Sequence, residues 1–256
     1  VDSVGRSIYL LGGVSCCADP SISGWPLVTT RILDEIADAR GNFVHIRVGP
    51  YSSTLFEGPE FQPSPAFWSR VRGLIEHAYS RGIVVEVDVI DGWVLERGHN
   101  HNYFGWDGAI THSRPDVEQL EWVNEVMRNT SEYPNVIYQI SNESFDVGAS
   151  GEWEGGIVTQ IRRHTGAMIG SNIQREVARG YANYVTFHNL GVRSPMYGRA
   201  TMVNEFGDDP LAPEEWEAAA RDARRRGVSI HLWRGGMDDA SWRDSLQRLK
   251  RIQEGN

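Results

Sequence analysis

The stretch PAFWSRVRGLIEHAYS at residues 65–80, followed by RG at 81–82 and IVVEVDVI at 83–90, sets the pattern of the fold. Residues 65–80 read as a helical stretch. Gly82 stands where a left-handed residue closes such a helix. The β-branched run Ile83 to Ile90 then reads as a strand. A helix, a glycine and a strand in that order make one turn of a β/α repeat.

The repeat extends in both directions. Upstream lie Ile8 to Val14 as a strand, Val28 to Ala39 as a helix and Phe43 to Val48 as a strand. Downstream come a helix from about Asp116 to Asn129, the strand Val136 to Ile140, a helix from about Gly155 to His164 and the strand Ala167 to Gly170. The second half adds a helix near Gln174 to Ala182, the strand Tyr184 to Phe187, a short weak segment near Ser194 and the strand Thr201 to Val203. The helix Pro213 to Arg226, the strand Val228 to Leu232 and the helix Ala240 to Ile252 complete eight strands. Gly41, Gly82, Gly166 and Gly227 each fall between a helix and the next strand, where a C-cap glycine is expected. Alternating strands and helices imply parallel pairing, and eight units close into a (β/α)8 TIM barrel. The alternative, an open doubly wound sheet, lacks a G-x-G-x-x-G loop after its first strand. A length of 256 residues suits one such barrel of roughly 250, so residues 1–256 are expected to form a single catalytic domain with short loops.

Composition narrows the function. With 40% hydrophobic and 23% charged residues the chain can bury a core, and no stretch approaches the ~20 apolar residues that span a bilayer. A net charge of −9 repels phosphate backbones, so neither nucleic acid nor membrane is expected as a partner. The basic cluster Arg221, Arg224, Arg225 and Arg226 ends a helix that begins Pro213-Glu214-Glu215, as the helix dipole favours. Nine tryptophans suit the apolar faces of sugar rings and favour a carbohydrate ligand. Cys16 and Cys17 are too close to staple distant segments, which leaves secreted and cytoplasmic locations equally open. Nothing in the sequence fixes an oligomeric state, and no cofactor is implied.

In a barrel of this kind the chemistry sits at the C-terminal ends of the strands. There the sequence places Arg47 after strand two, Asp91-Gly92-Trp93 after strand three, Asn142-Glu143 after strand four, His188 after strand six, Asn204-Glu205 after strand seven and Trp233 at strand eight. Asn-Glu also occurs as Asn124-Glu125 inside a helix, where it carries no chemistry. The copies at 143 and 205 matter because both follow strands on one rim.

These residues resemble the clan A, or 4/7 superfamily, glycoside hydrolases, which include cellulases and mannanases. In that clan an Asn-Glu pair ending strand four supplies the acid/base, matched by Asn142 and Glu143, and a Glu ending strand seven is the nucleophile, matched by Glu205. Arg47, His188 and Trp233 match the clan's strand-two Arg, strand-six His and strand-eight Trp. The resemblance implies a retaining glycosidase acting on β-linked oligo- or polysaccharide, with the two carboxyl groups about 5–5.5 Å apart. Arg47 would hold the Glu205 pKa down, Asn142 would bind the sugar 2-hydroxyl and Trp233 would floor the central subsite. Trp93 and Asp91 are further substrate-binding candidates. Leu190 replaces a tyrosine common in the clan, and Asp91-Gly92-Trp93 replaces a sugar-binding histidine, which leaves the sugar open. Two rival readings remain. His99 and His101 could offer imidazoles to a zinc in a metal-dependent barrel hydrolase, although no further ligand set is evident, and the tryptophans could serve a non-catalytic carbohydrate-binding barrel.

Overall fold

A computed structural model describes residues 10–17, 27–48, 64–92, 95, 114–144, 148–172, 181–187, 200–206, 213–233 and 239–254. The order is β1 (Leu11–Cys17), α1 (Thr30–Asp38), β2 (Phe43–Arg47), α2 (Pro65–Ser80), β3 (Val84–Asp91), α3 (Val117–Thr130) and β4 (Val136–Asn142). It continues α4 (Gly151–Arg162), β5 (Ile169–Ser171), β6 (Tyr184–Phe187), β7 (Ala200–Phe206), α5 (Pro213–Arg225), β8 (Val228–Trp233) and α6 (Asp239–Glu254). Each strand pairs in parallel with its successor, and β8 pairs back onto β1. The sheet is a closed (β/α)8 barrel, as the strand count implied.

Side-chain caps set where the helices start. Ser64 accepts the Phe67 amide at 3.2 Å with Pro65 opening α2, and Asp116 and Gln119 form a reciprocal capping box on α3. Ser150 caps α4 through the Trp153 amide, so that helix begins at Gly151 rather than near the expected Gly155. Two glycines inside this helix are there for packing: a Cβ on Gly156 would lie 2.5 Å from the Pro115 ring, and one on Gly155 would lie 3.0 Å from Tyr181. Tyr181 to Asn183 lead into β6 as a turn rather than a helix, while 174–180 and the segment near Ser194 lie outside the described residues.

Gly82 and Gly227 adopt the expected left-handed conformation, with φ of 71° and 75°, but Gly41 and Gly166 do not. After α1 the left-handed residue is Arg40, φ 61°, and Gly41 donates its amide to the Ile36 carbonyl at 2.8 Å. After α4 the cap is Arg163, three residues before Gly166. The basic cluster on α5 is satisfied locally: Arg221 pairs with Glu217, and Arg225 and Arg226 both pair with Asp222. No helix among the described residues is long and apolar enough to cross a membrane.

The strands bury two faces of different chemistry. Outward residues such as Val44, Ile46, Val85, Val87 and Ile140 join helix residues such as Leu33, Ile75, Trp122, Trp153 and Trp242 in the main core. Inside the barrel, Phe43, Tyr184 and Met202 form a smaller apolar layer near the strand starts. Beside it, at the N-terminal ends of the strands, a cavity of about 690 Å³ is bounded in part by Leu10, Val84, Tyr184 and Ser229. Above that layer the interior turns polar, with His45, Glu86, Asp88 and His231 all buried. The polar stack leads to the C-terminal rim.

Gly12 marks how tightly the barrel closes. A Cβ there would meet the Phe43 carbonyl oxygen at 1.8 Å, a backbone atom with nowhere to retreat. Gly12→Ala is expected to lower stability by about 3 kcal/mol, the upper range for overpacking. The check is urea denaturation, where the midpoint falls at constant m value.

Candidate active site

The rim is built from the last residues of β2, β3, β4 and β5. Arg47 ends β2 and Asp91 ends β3, and their side chains pair inside the barrel mouth at 3.5 Å, with only 4% and 1% of each exposed. Asp91 lies in register with Asn142, the last residue of β4. Asn142 is buried, and neither its amide nitrogen nor its amide oxygen has a hydrogen-bond partner among the described residues. A buried side-chain amide calls for hydrogen-bond partners.

Glu143 follows directly and takes φ 53°, a left-handed conformation that costs a non-glycine residue about 1–2 kcal/mol. Two neighbours fix it there. Its amide donates to Asn172 Oδ1 at 3.2 Å, and Asn172 in turn donates to Thr186 Oγ1 of β6 at 3.2 Å. On the other side Gly92 presses against the turn: a Cβ on it would lie 2.7 Å from the Asn142 carbonyl oxygen and 2.8 Å from that of Glu143.

Beneath the turn lies a carboxyl that the sequence did not single out. Glu154, in the first turn of α4, is 1% exposed. Ser171 donates to one of its oxygens at 2.6 Å and Ser144 to the other at 3.3 Å. Burial pushes its pKa up to about 7, against the pull of the two serine hydroxyls. An acid in a first helical turn reads in sequence as a partner of the helix dipole, and nothing in the pattern signals that this one points inward.

The polar stack below the rim is held by hydrogen bonds. Glu86 receives His45 at 2.6 Å and the Tyr184 hydroxyl at 2.5 Å; burial and the Glu86 charge push that hydroxyl well above its usual range. Asp88 is raised well above the carboxylate range by burial and by Asp91, with Arg47 opposing. His231 stacks on Phe43 at 3.5 Å, and burial, then His45, lowers its pKa well below the usual value.

The structure thus brings Arg47, Asp91, Asn142 and Glu143 together on one rim. Asn204 and Glu205 fall inside β7 rather than after it, since the strand continues to Phe206 with an irregularity between Val203 and Phe206; their backbone reaches the same rim. Trp233 is the last residue of β8. The side chains of Glu205 and Trp233, and the residues Trp93, His188, His99 and His101, lie outside what is described. Among the described residues no three His, Cys, Asp or Glu side chains are grouped to hold a metal ion.

A sequence profile described as Cellulase (glycosyl hydrolase family 5) matches residues 1–179. No curated protein matches the chain by sequence. Among solved structures, Cel5A of Thermotoga maritima, a mutant form in complex with cellobiose, superposes with a TM-score of 0.67 at 16% identity, covering 93% of this chain and 94% of that one. The cellulose synthase subunit Z of Clostridioides difficile gives 0.63 at 14% identity, over 94% and 99%. Endo-glycoceramidase II from Rhodococcus sp. gives 0.63 at 16%, over 96% and 80%. At such identities the likeness is one of fold.

The buried Glu154 carboxyl has a measurable signature. Its folded pKa lies above its unfolded value of 4.5, so the native state holds the extra proton and stability falls as pH rises from about 4.5 to about 7. Glu154→Gln is expected to remove this slope. By the size of the shift, wild type should lose about 3 kcal/mol more than the variant between pH 4.5 and pH 8, read from urea unfolding at both pH values.

Proposed function

The chain belongs to the cellulase family, glycosyl hydrolase family 5, and from that premise we propose that it cleaves β-glycosidic bonds of an oligo- or polysaccharide by double displacement, with Glu143 as acid/base and Glu205 as nucleophile. The chain is a glycoside hydrolase of a retaining family. The observation that carries the assignment is Glu143 itself: a strained residue at the end of β4, tied to Asn172 and wedged by Gly92, on the rim that β7 reaches with Glu205. Strain kept at such a position points to function. All 256 residues would serve as one catalytic domain.

In this reading Glu143 protonates the leaving oxygen while Glu205 attacks the anomeric carbon. The aglycone departs with the proton, and Glu143, now a carboxylate, takes a proton from the water that hydrolyses the glycosyl ester. The Arg47 guanidinium, paired with Asp91, supplies positive charge to the floor of the site, which favours an ionised nucleophile. The amide of Asn142, without a partner among the described residues, would take the sugar 2-hydroxyl, a bond that strengthens towards the oxocarbenium-like transition state. Trp233, with His188 and Trp93, would line the sugar subsites. Cel5A of Thermotoga maritima holds cellobiose, a β-linked glucose disaccharide, and the same linkage class is proposed here.

The test is a panel of aryl β-glycosides and β-linked glycans, with anomeric configuration followed by NMR. Wild type should retain configuration, and Glu143→Gln and Glu205→Gln should each lose about 10³-fold or more on natural glycans. Inversion, or survival of activity in both variants, would sink the assignment, and binding without turnover in wild type would favour a carbohydrate-binding protein. A second measurement addresses the wedge: Gly92→Ala should lower kcat about tenfold or more with a smaller change in KM, because it displaces the backbone of Glu143 and of Asn142, whose bond to the 2-hydroxyl strengthens towards the transition state.

A further inference from the structure

We propose that Glu154 is a positioning residue for Glu143, its buried carboxylate closing a ring of bonds that fixes the turn carrying the acid/base. This rests on the reading of Glu143 as the acid/base.

The ring can be followed atom by atom. Glu143 donates its amide to Asn172 Oδ1 at 3.2 Å. Asn172 is bonded through the chain to Ser171, the last residue of β5, whose hydroxyl donates to Glu154 Oε2 at 2.6 Å. Glu154 Oε1 accepts from Ser144 at 3.3 Å, and Ser144 is the next residue after Glu143. The circuit therefore returns to its start through four side chains and two peptide links. Ser144 is held at a further point, since its carbonyl accepts the Ala149 amide at 3.0 Å. Every member but Glu143 is buried.

Above its pKa of about 7 Glu154 is ionised, and only that form suits the central position, so its effect on catalysis is read at pH 8. It can accept from two hydroxyls at once, whereas a glutamine accepts at one end and donates at the other, which forces one serine to reverse its bond. The two serines come from different strands, β5 and the end of β4, and α4 supplies the acceptor that joins them. Burying a carboxyl without a cation is unfavourable, and a purely structural contact here would be met as well by neutral groups. Because the turn is left-handed and strained, the backbone of Glu143 relaxes when its clamp is loosened. Glu154 does not touch substrate in this scheme and moves no proton. It acts through the placement of Glu143, so its loss should be felt only where the acid is needed.

That last property separates positioning from a general structural role. Aryl β-glycosides of the sugar hydrolysed fastest are compared in two classes, phenyl with a poor leaving group and 2,4-dinitrophenyl with a good one that departs without acid assistance. For Glu154→Gln the expected result is a fall of about tenfold in kcat/KM on the phenyl glycoside and less than about twofold on the dinitrophenyl glycoside. Ser144→Ala, which cuts the ring while leaving the carboxyl in place, should show the same selectivity at about threefold, and it decides the matter if Glu154→Gln fails to fold. Equal losses on both substrates, or none, would overturn the proposal. Glu143→Ala is run on the same pair: strong selectivity with rescue of the dinitrophenyl reaction by azide upholds the acid/base reading, so that a non-selective Glu154→Gln then condemns the positioning role alone. A non-selective Glu143→Ala removes both.

Discussion

Closing eight parallel strands into a barrel leaves an interior from which water is excluded, and every polar side chain that points inward must find its partner there. The inward faces of β2 and β3 carry a charge or an imidazole at His45, Arg47, Glu86 and Asp88, all buried. Glu86 meets this requirement by accepting from His45 on β2 and from Tyr184 on β6, across the barrel. The reach of Tyr184 in turn depends on Gly170 of β5, where a Cβ would lie 2.2 Å from its ring. One buried carboxylate thereby ties β2, β3, β5 and β6 into a fixed cross-section, and the rim geometry is built on it.

Towards the rim the same strands carry more acid than base. Asp88 and Asp91 share the field of Arg47, and burial pushes the Asp88 pKa up. Beside it Arg47 and Asp91 form a buried ion pair at 3.5 Å. Such pairs are expensive to desolvate and give little net stability, which is why their presence in a barrel mouth points to charge placement for chemistry rather than to folding.

Much of this was legible in the sequence, and the unread parts have physical causes. The 3.6-residue stripe of Pro65 to Ser80 and the β-branched runs named every described strand, because burial against a sheet leaves a periodic trace. The start of α4 was placed four residues late, because the cap that begins it is the Ser150 side chain on the Trp153 amide; the small size of Gly155 and Gly156 answers to Tyr181 and Pro115, which meet them only in the folded chain. Arg40 in place of Gly41 was unreadable for a like reason, a local conformation fixed by the carbonyls of Ile36 and Ala37. At the rim, Asn142 and Glu143 were marked by their place after a strand. Gly92, Asn172 and Glu154 were not, because their roles exist only after β3, β4, β5 and α4 have been brought side by side.

The strain at Glu143 shows how the barrel and the site depend on each other. A left-handed glutamate costs about 1–2 kcal/mol, and one good hydrogen bond returns about 1 kcal/mol, so the Asn172 contact alone leaves the turn near balance. What decides the conformation is that the alternatives are closed from both sides: Gly92 of the β3 end occupies the space above the Asn142 and Glu143 carbonyls, and Ser144 is held from below by α4. Each of those neighbours sits on an element whose own position follows from barrel closure. A small shift of the strand register would therefore be transmitted to Glu143, the proposed acid/base, where misplacement by about 1 Å can cost 10²-fold in rate, and the polar cross-section around Glu86 opposes that shift.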